Sequence, residues 1–158
     1  MGEAASRVQR RLRERLASAV SGRTWHTEYP IGSTPVDVAG VGDDIAAVEL
    51  EWRRADPADN TVTLFRELAA SDLDSTYGSV TVVQVFSRYY DLRSGGHSTK
   101  RRNAEFVGER IARTVPGASF AAVTLDVDPP KRGGDLPADW RDAVDDVADR
   151  VADAVGEE

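Results

Sequence analysis

The chain has 158 residues and a formal net charge of −7, with 27 acidic against 20 basic side chains, a length that suits one domain with a substantial core. It contains no cysteine, which excludes disulfides, a thiolate nucleophile and Cys-ligated zinc. The first twenty residues carry five Arg and no apolar run, and no stretch approaches a membrane-spanning length, so the expectation is a cytoplasmic protein without a secretory signal or membrane partner.

Residues 4–21 set Ala5, Val8, Leu12, Leu16 and Ala19 on one helical stripe that stops at Gly22. TWHTEYPI (24–31) alternates as a half-buried first strand. PVDVAGV and IAAVELEW follow as two further strands, and Gly42-Asp43-Asp44 between them signals a hairpin. A helix capped by Asp59 or Asn60 then runs to about Ala70, with Val62, Phe65, Leu68 and Ala69 expected inward. VTVVQVF (80–86) is apolar on both faces, as a central strand should be. A glycine loop leads to a helix over 99–114 with Ala104, Val107 and Ile111 inward. SFAAVTLDV is the last strand, closed by Pro129-Pro130, and a helix over 137–155 buries Trp140, Val144, Val147 and Val151. The fold class is therefore α/β, a mixed central sheet flanked by helices: an αβββαβ core followed by αβ and a C-terminal helix, in a single domain over 1–158.

Within this pattern, AVELEWRR (47–54) poses a problem. Glu49 and Glu51 sit two apart in an otherwise apolar strand, so both carboxylates point to one face. Like charges in a buried strand are costly unless something compensates them. If the hairpin turns about Asp43 on a three-residue loop, residues i and 86 − i are opposed and Asp37 joins Glu49 on that face; a two-residue loop would send it to the other. Three carboxylates so grouped suit Mg²⁺ or Mn²⁺, hard ions that take oxygen ligands.

These residues resemble the PD-(D/E)xK nuclease superfamily, the restriction-endonuclease-like proteins, whose core is αβββαβ and whose motif is Pro-Asp, a spacer, then Asp/Glu-x-Lys. The matching residues are Pro35-Val36-Asp37, an 11-residue spacer, and Glu49-Leu50-Glu51, and the likeness covers roughly residues 4–90. Pro35 and Asp37 are not adjacent, and Glu51 stands where the motif has Lys, a variant that some restriction endonucleases of the superfamily carry. The resemblance implies a Mg²⁺-dependent endonuclease hydrolysing DNA phosphodiesters, with Asp37 and Glu49 holding the metal and Glu51 completing the site as ligand or general base. The alternative is a catalytically lapsed module of the same fold that binds nucleic acid or a protein without cleavage. Restriction-type cleavage of two strands would want a homodimer.

Charge is unevenly spread. Ser6–Arg23 carries +5 and Gln84–Arg113 carries +4, while Asp135–Glu158 carries −7. Arg53 and Arg54, directly after the carboxylates, either hold a phosphate or pair with Asp56 and Asp59. Lys100, Arg101 and Arg102, after the loop RSGGHS, suit a DNA backbone at a helix N-terminus. Gln84, inside the central strand, needs a partner, either a backbone group or a metal-bound water. Glu14 is expected in solvent beside Arg10 or Arg11. With 18 Arg against two Lys and 17 Asp against 10 Glu, the composition also resembles that of proteins from salt-loving archaea.

Overall fold

The computed structural model of the chain describes residues 2–71 and 78–156. Its elements are α1 (Glu3–Ala19), β1 (Thr24–Ile31), β2 (Thr34–Val41), β3 (Ile45–Glu51), α2 (Pro57–Ala70), β4 (Val80–Ser87), a 3₁₀ turn (Arg88–Tyr90), α3 (Thr99–Thr114), β5 (Ala118–Leu125) and α4 (Trp140–Ala154). Glu157 and Glu158, the end of the acidic run, lie outside the described residues. The five strands form one sheet in the order β1-β2-β3-β4-β5. The β1–β2 and β2–β3 pairs are antiparallel, and β3, β4 and β5 are parallel. The expected α/β architecture is thus present, with the two early strands neighbours in one sheet.

The two crossovers from β3 through α2 to β4, and from β4 through α3 to β5, put α2 and α3 against each other on one face. Helices α1 and α4 pair on the other. Leu12, Leu16, Val144, Val147 and Val151 pack there on Val38, Val48, Leu50, Val83 and Val85. Each such aliphatic side chain contributes about 1.5–3 kcal/mol when taken fully from water. Leu64, Phe65 and Leu68 of α2 cover Ala39, Ile45, Ala47 and Val82 on the opposite face. Every residue of β3 is buried, as expected of a strand between two helical layers.

Two helix faces differ from the sequence expectation. The α2 cap is Asp56, whose side chain accepts from Asp59 N, with Pro57 in the first turn. Starting earlier, the helix turns Thr61 and Leu64 inward and leaves Val62 and Ala69 exposed. In α3 the inner stripe is Arg101, Ala104, Gly108 and Ala112, while Val107 and Ile111 are only half-buried. Small residues are needed there because the helix lies close on β5: a Cβ on Gly108 would come within 2.4 Å of the Phe120 ring.

Candidate metal centre

The register decides where the carboxylates point. Val38 opposes Val48 and Val41 opposes Ile45, so opposed residues sum to 86 and the loop is three residues long. One step further, this register sets Asp37 against Glu49, and Glu49 in turn pairs with Gln84. On the outer side, Thr27↔Val38 and Tyr29↔Val36 bracket Glu28 and Asp37. Glu28, Asp37, Glu49 and Gln84 therefore form a polar row across four strands. Pairing lapses at Glu28, which holds φ = +50°, a left-handed conformation that is strained for a side chain of this size. There Gln9 reaches in from α1, donating through Nε2 to Glu28 Oε1 and to the Asp37 carbonyl, both at 2.8 Å.

Asp37, Glu49 and Glu51 are only 4 %, 2 % and 0 % exposed. Asp37 Oδ2 accepts from the backbone N–H of Leu50 at 2.7 Å. Burial pushes the Asp37 carboxyl up, while hydrogen bonds from Glu49 and from Leu50 N hold it back. Glu49 is driven well above the ordinary carboxylate range by burial, and further by the adjacent Asp37 and Glu51. The consistent state is a protonated Glu49 donating to an ionised Asp37. Glu51 is also raised by burial, against the hydrogen bonds and charge of its neighbours. Its Oε1 accepts from Asn60 Nδ2 at 2.7 Å and from Gln84 Nε2 at 3.1 Å, and Arg54 Nε lies 3.7 Å from Oε2.

Gln84 Nε2 thus bonds a side chain rather than a backbone group. Asn60 and Gln9 carry no site signal in the sequence. Asn60 reads there only as one of two candidate helix caps. Glu14 is exposed with Arg13 at 4.0 Å, whereas Arg11 pairs with Asp145 at 2.6 Å. Tyr90 is another unanticipated member. Its hydroxyl accepts from Arg54 N at 2.7 Å and donates to Arg54 O at 2.9 Å, fixing the chain just beyond Glu51. Ser87 Oγ donates to the Trp52 carbonyl in the same segment.

The basic residues divide. Lys100 and Arg102 are exposed on α3. Arg101 is not a surface cation: it is 3 % exposed, stacks over Phe86, and donates to Glu105 Oε1 at 3.1 Å and Thr124 Oγ1 at 2.7 Å. Arg53 lies over the Tyr89 ring and pairs with neither Asp56 nor Asp59; Arg54 turns to Glu51. The glycine loop before α3 is closed on itself, with His97 Nδ1 2.9 Å from Asp91 Oδ1 and Ser98 capping the helix.

Among the described residues, three buried side-chain oxygens have no hydrogen-bond partner: Glu49 Oε1, Gln84 Oε1, and Glu51 Oε2, which Arg54 Nε faces at 3.7 Å. All are acceptors, on neighbouring positions of β3 and β4, and leaving them unsatisfied costs on the order of 1–3 kcal/mol each. An oxygen-only set with spare lone pairs fits a hard divalent cation. Among the described residues, no group of three or more His, Cys, Asp or Glu side chains is arranged to hold an ion by itself. The acceptors left without partners belong instead to two carboxylates and an amide, with Asp37 alongside. No protein-family model matches the chain, and no curated protein matches it either.

Proposed function

We propose that this protein hydrolyses phosphodiester bonds of DNA at the Asp37–Glu49–Glu51 site with Mg²⁺ or Mn²⁺ as cofactor. The observation that carries the reading is the trio of buried, unsatisfied acceptors at Glu49, Glu51 and Gln84. Buried lone pairs without donors call for protons or a cation, and the sequence likeness to metal-dependent nucleases favours the cation. A bound divalent ion supplies positive charge at the scissile phosphate and an acidified water. The chain's own residues do the rest. Glu49, as a carboxylate, would hold the ion through Oε1. Glu51, oriented by Asn60 and Gln84, offers Oε2 as ligand or general base. Asp37 stays anchored to Leu50 N–H, and Arg54, 47 % exposed beside Glu51, supplies a cation toward a phosphate. The test is incubation with plasmid DNA in Mg²⁺ and in EDTA across a range of salt; metal-dependent nicking supports the reading.

A second reading has a specific observation behind it. All three carboxylates are almost completely buried, which suits a lapsed site whose protons have replaced the ion. In that case the domain binds nucleic acid or a protein without chemistry, and binding without cleavage under any metal selects it.

A further inference from the structure

A groove of about 630 Å³ lies between the start of α1, the chain just past β3, and the 130–136 loop. Its wall includes Arg7, Arg53, Lys131 and Arg132, with Trp52 alongside. Two carboxylates, Glu3 and Asp135, share it, so the local balance is positive in a chain whose total is −7. None of the four cations makes an ion pair among the described residues. Arg7 sits over the Trp140 ring and Arg53 over the Tyr89 ring, leaving their charge uncompensated by carboxylates. Tyr89, just outside the groove's lining, is itself 44 % exposed, so an aromatic ring with Arg53 over one face stands beside the cations. The groove begins at Trp52, the residue after Glu51, at the carboxyl end of the parallel strands where ligands of α/β sheets collect.

We infer that this groove is a track for the sugar–phosphate backbone of a single-stranded nucleic acid leading to the carboxylate site. Cations spaced along a channel neutralise phosphates, and an aromatic face beside them accepts an unstacked base, the combination that favours a single strand over a duplex. The inference rests on the proposed action on DNA, but its test needs neither metal nor cleavage. Binding of a fluorescent oligonucleotide, single-stranded or duplex, is measured in EDTA at several salt concentrations. The wild type is compared with Arg7→Gln/Lys131→Gln/Arg132→Gln and with a charge-matched control, Arg66→Gln/Arg113→Gln/Arg150→Gln. The groove variant should bind the single strand about tenfold or more weakly, with a salt slope shallower by about 2, since each phosphate contact on a single strand contributes about 0.7. The control should bind like the wild type, and inorganic phosphate should compete better than chloride at equal ionic strength. Equal weakening in both variants, an unchanged groove variant, tighter binding of duplex, or no binding by the wild type at low salt would each overturn the inference. Groove-dependent binding without cleavage would leave it standing while the hydrolytic reading falls; cleavage indifferent to the groove variant would do the reverse.

Discussion

Asp37 and Glu49 stand opposite each other in the register of the β2–β3 ladder, where burial and the charge of Asp37 hold the Glu49 carboxyl well above its ordinary range, so the pair favours one proton and one charge. That pairing makes the buried row compatible with a folded chain without metal, because two adjacent ionised groups at this depth would repel strongly. An ion bound at the proposed site would compete with that proton for the same oxygens.

A first consequence concerns stability against pH. The folded-state pKa values of Asp37, Glu49 and Glu51 are all raised, so the folded chain retains protons that the unfolded chain has released. The stability contributed is fully present below the ordinary carboxylate range and is lost as pH rises through the raised values. Without metal, the protein should therefore melt at a higher temperature near pH 5 than near pH 8. Saturating Mn²⁺ should flatten or reverse that trend. Asp145, lowered by its hydrogen bond from Arg11, acts with the opposite sign, in a lower window and at a partly exposed, screened position. Calorimetry at both pH values, with and without Mn²⁺, checks this; a metal-free melting temperature that climbs steadily from pH 5 to pH 8 contradicts it.

Replacing Glu49 by Gln keeps the shape and the donor of the protonated acid. Because the neutral side chain needs no proton uptake, Glu49→Gln should be about 1–2 kcal/mol more stable than the wild type at pH 7 without metal, a rise of roughly 3–6 °C in melting temperature. The same variant should gain little from Mn²⁺. A destabilised Glu49→Gln would show that Glu49 is ionised in the folded protein.

Glu28 offers a prediction that needs no metal. At φ = +50° a β-branched residue is strongly disfavoured, whereas glycine is at ease. Glu28→Val should cost about 2 kcal/mol more than Glu28→Gly in urea denaturation, although neither retains the contact to Gln9. Equal losses would mean that the backbone at 28 relaxes freely.

Arg101 separates a structural cation from a surface one. Arg101→Ala should cost about 3 kcal/mol, leaving Glu105 and Thr124 without their donor and a void over Phe86. The folded fraction should bind DNA with the same salt slope as the wild type. Lys100→Gln and Arg102→Gln, at exposed positions, should leave stability within about 0.5 kcal/mol.

Period and parity made the hairpin legible in the sequence. The Gly42-Asp43-Asp44 signal narrowed the facing of Asp37 to two parities, because strand side chains have a period of two, and the three-residue loop of the structure decides for the one that sets Asp37 opposite Glu49. The broken pairing at Glu28 left no mark in TWHTEYPI, whose alternation runs through it. Asn60 was hidden by the helix start: capping from Asp56 through Pro57 rotates every later residue of α2 and brings Asn60 to Glu51. Arg101 looked like a surface cation because three basic residues stand together, and only the close approach of α3 to β5 turns one of them inward. Such facts belong to tertiary packing, where small residues such as Ala104 and Gly108 define a buried face that an apolar count passes over.

Supercoiled plasmid DNA incubated with wild-type protein and with Asp37→Asn, in Mg²⁺ and in EDTA, tests the proposed hydrolytic role of this site most directly. The substitution keeps the size of the side chain and an acceptor for Leu50 N–H while removing one charge from the site, so folding should persist. The wild type should nick the plasmid in Mg²⁺ and not in EDTA, and Asp37→Asn should be slower by about two orders of magnitude or more. Equal rates for the two proteins, or no cleavage by the wild type under any metal and salt condition, would contradict the assignment of this site to phosphodiester hydrolysis.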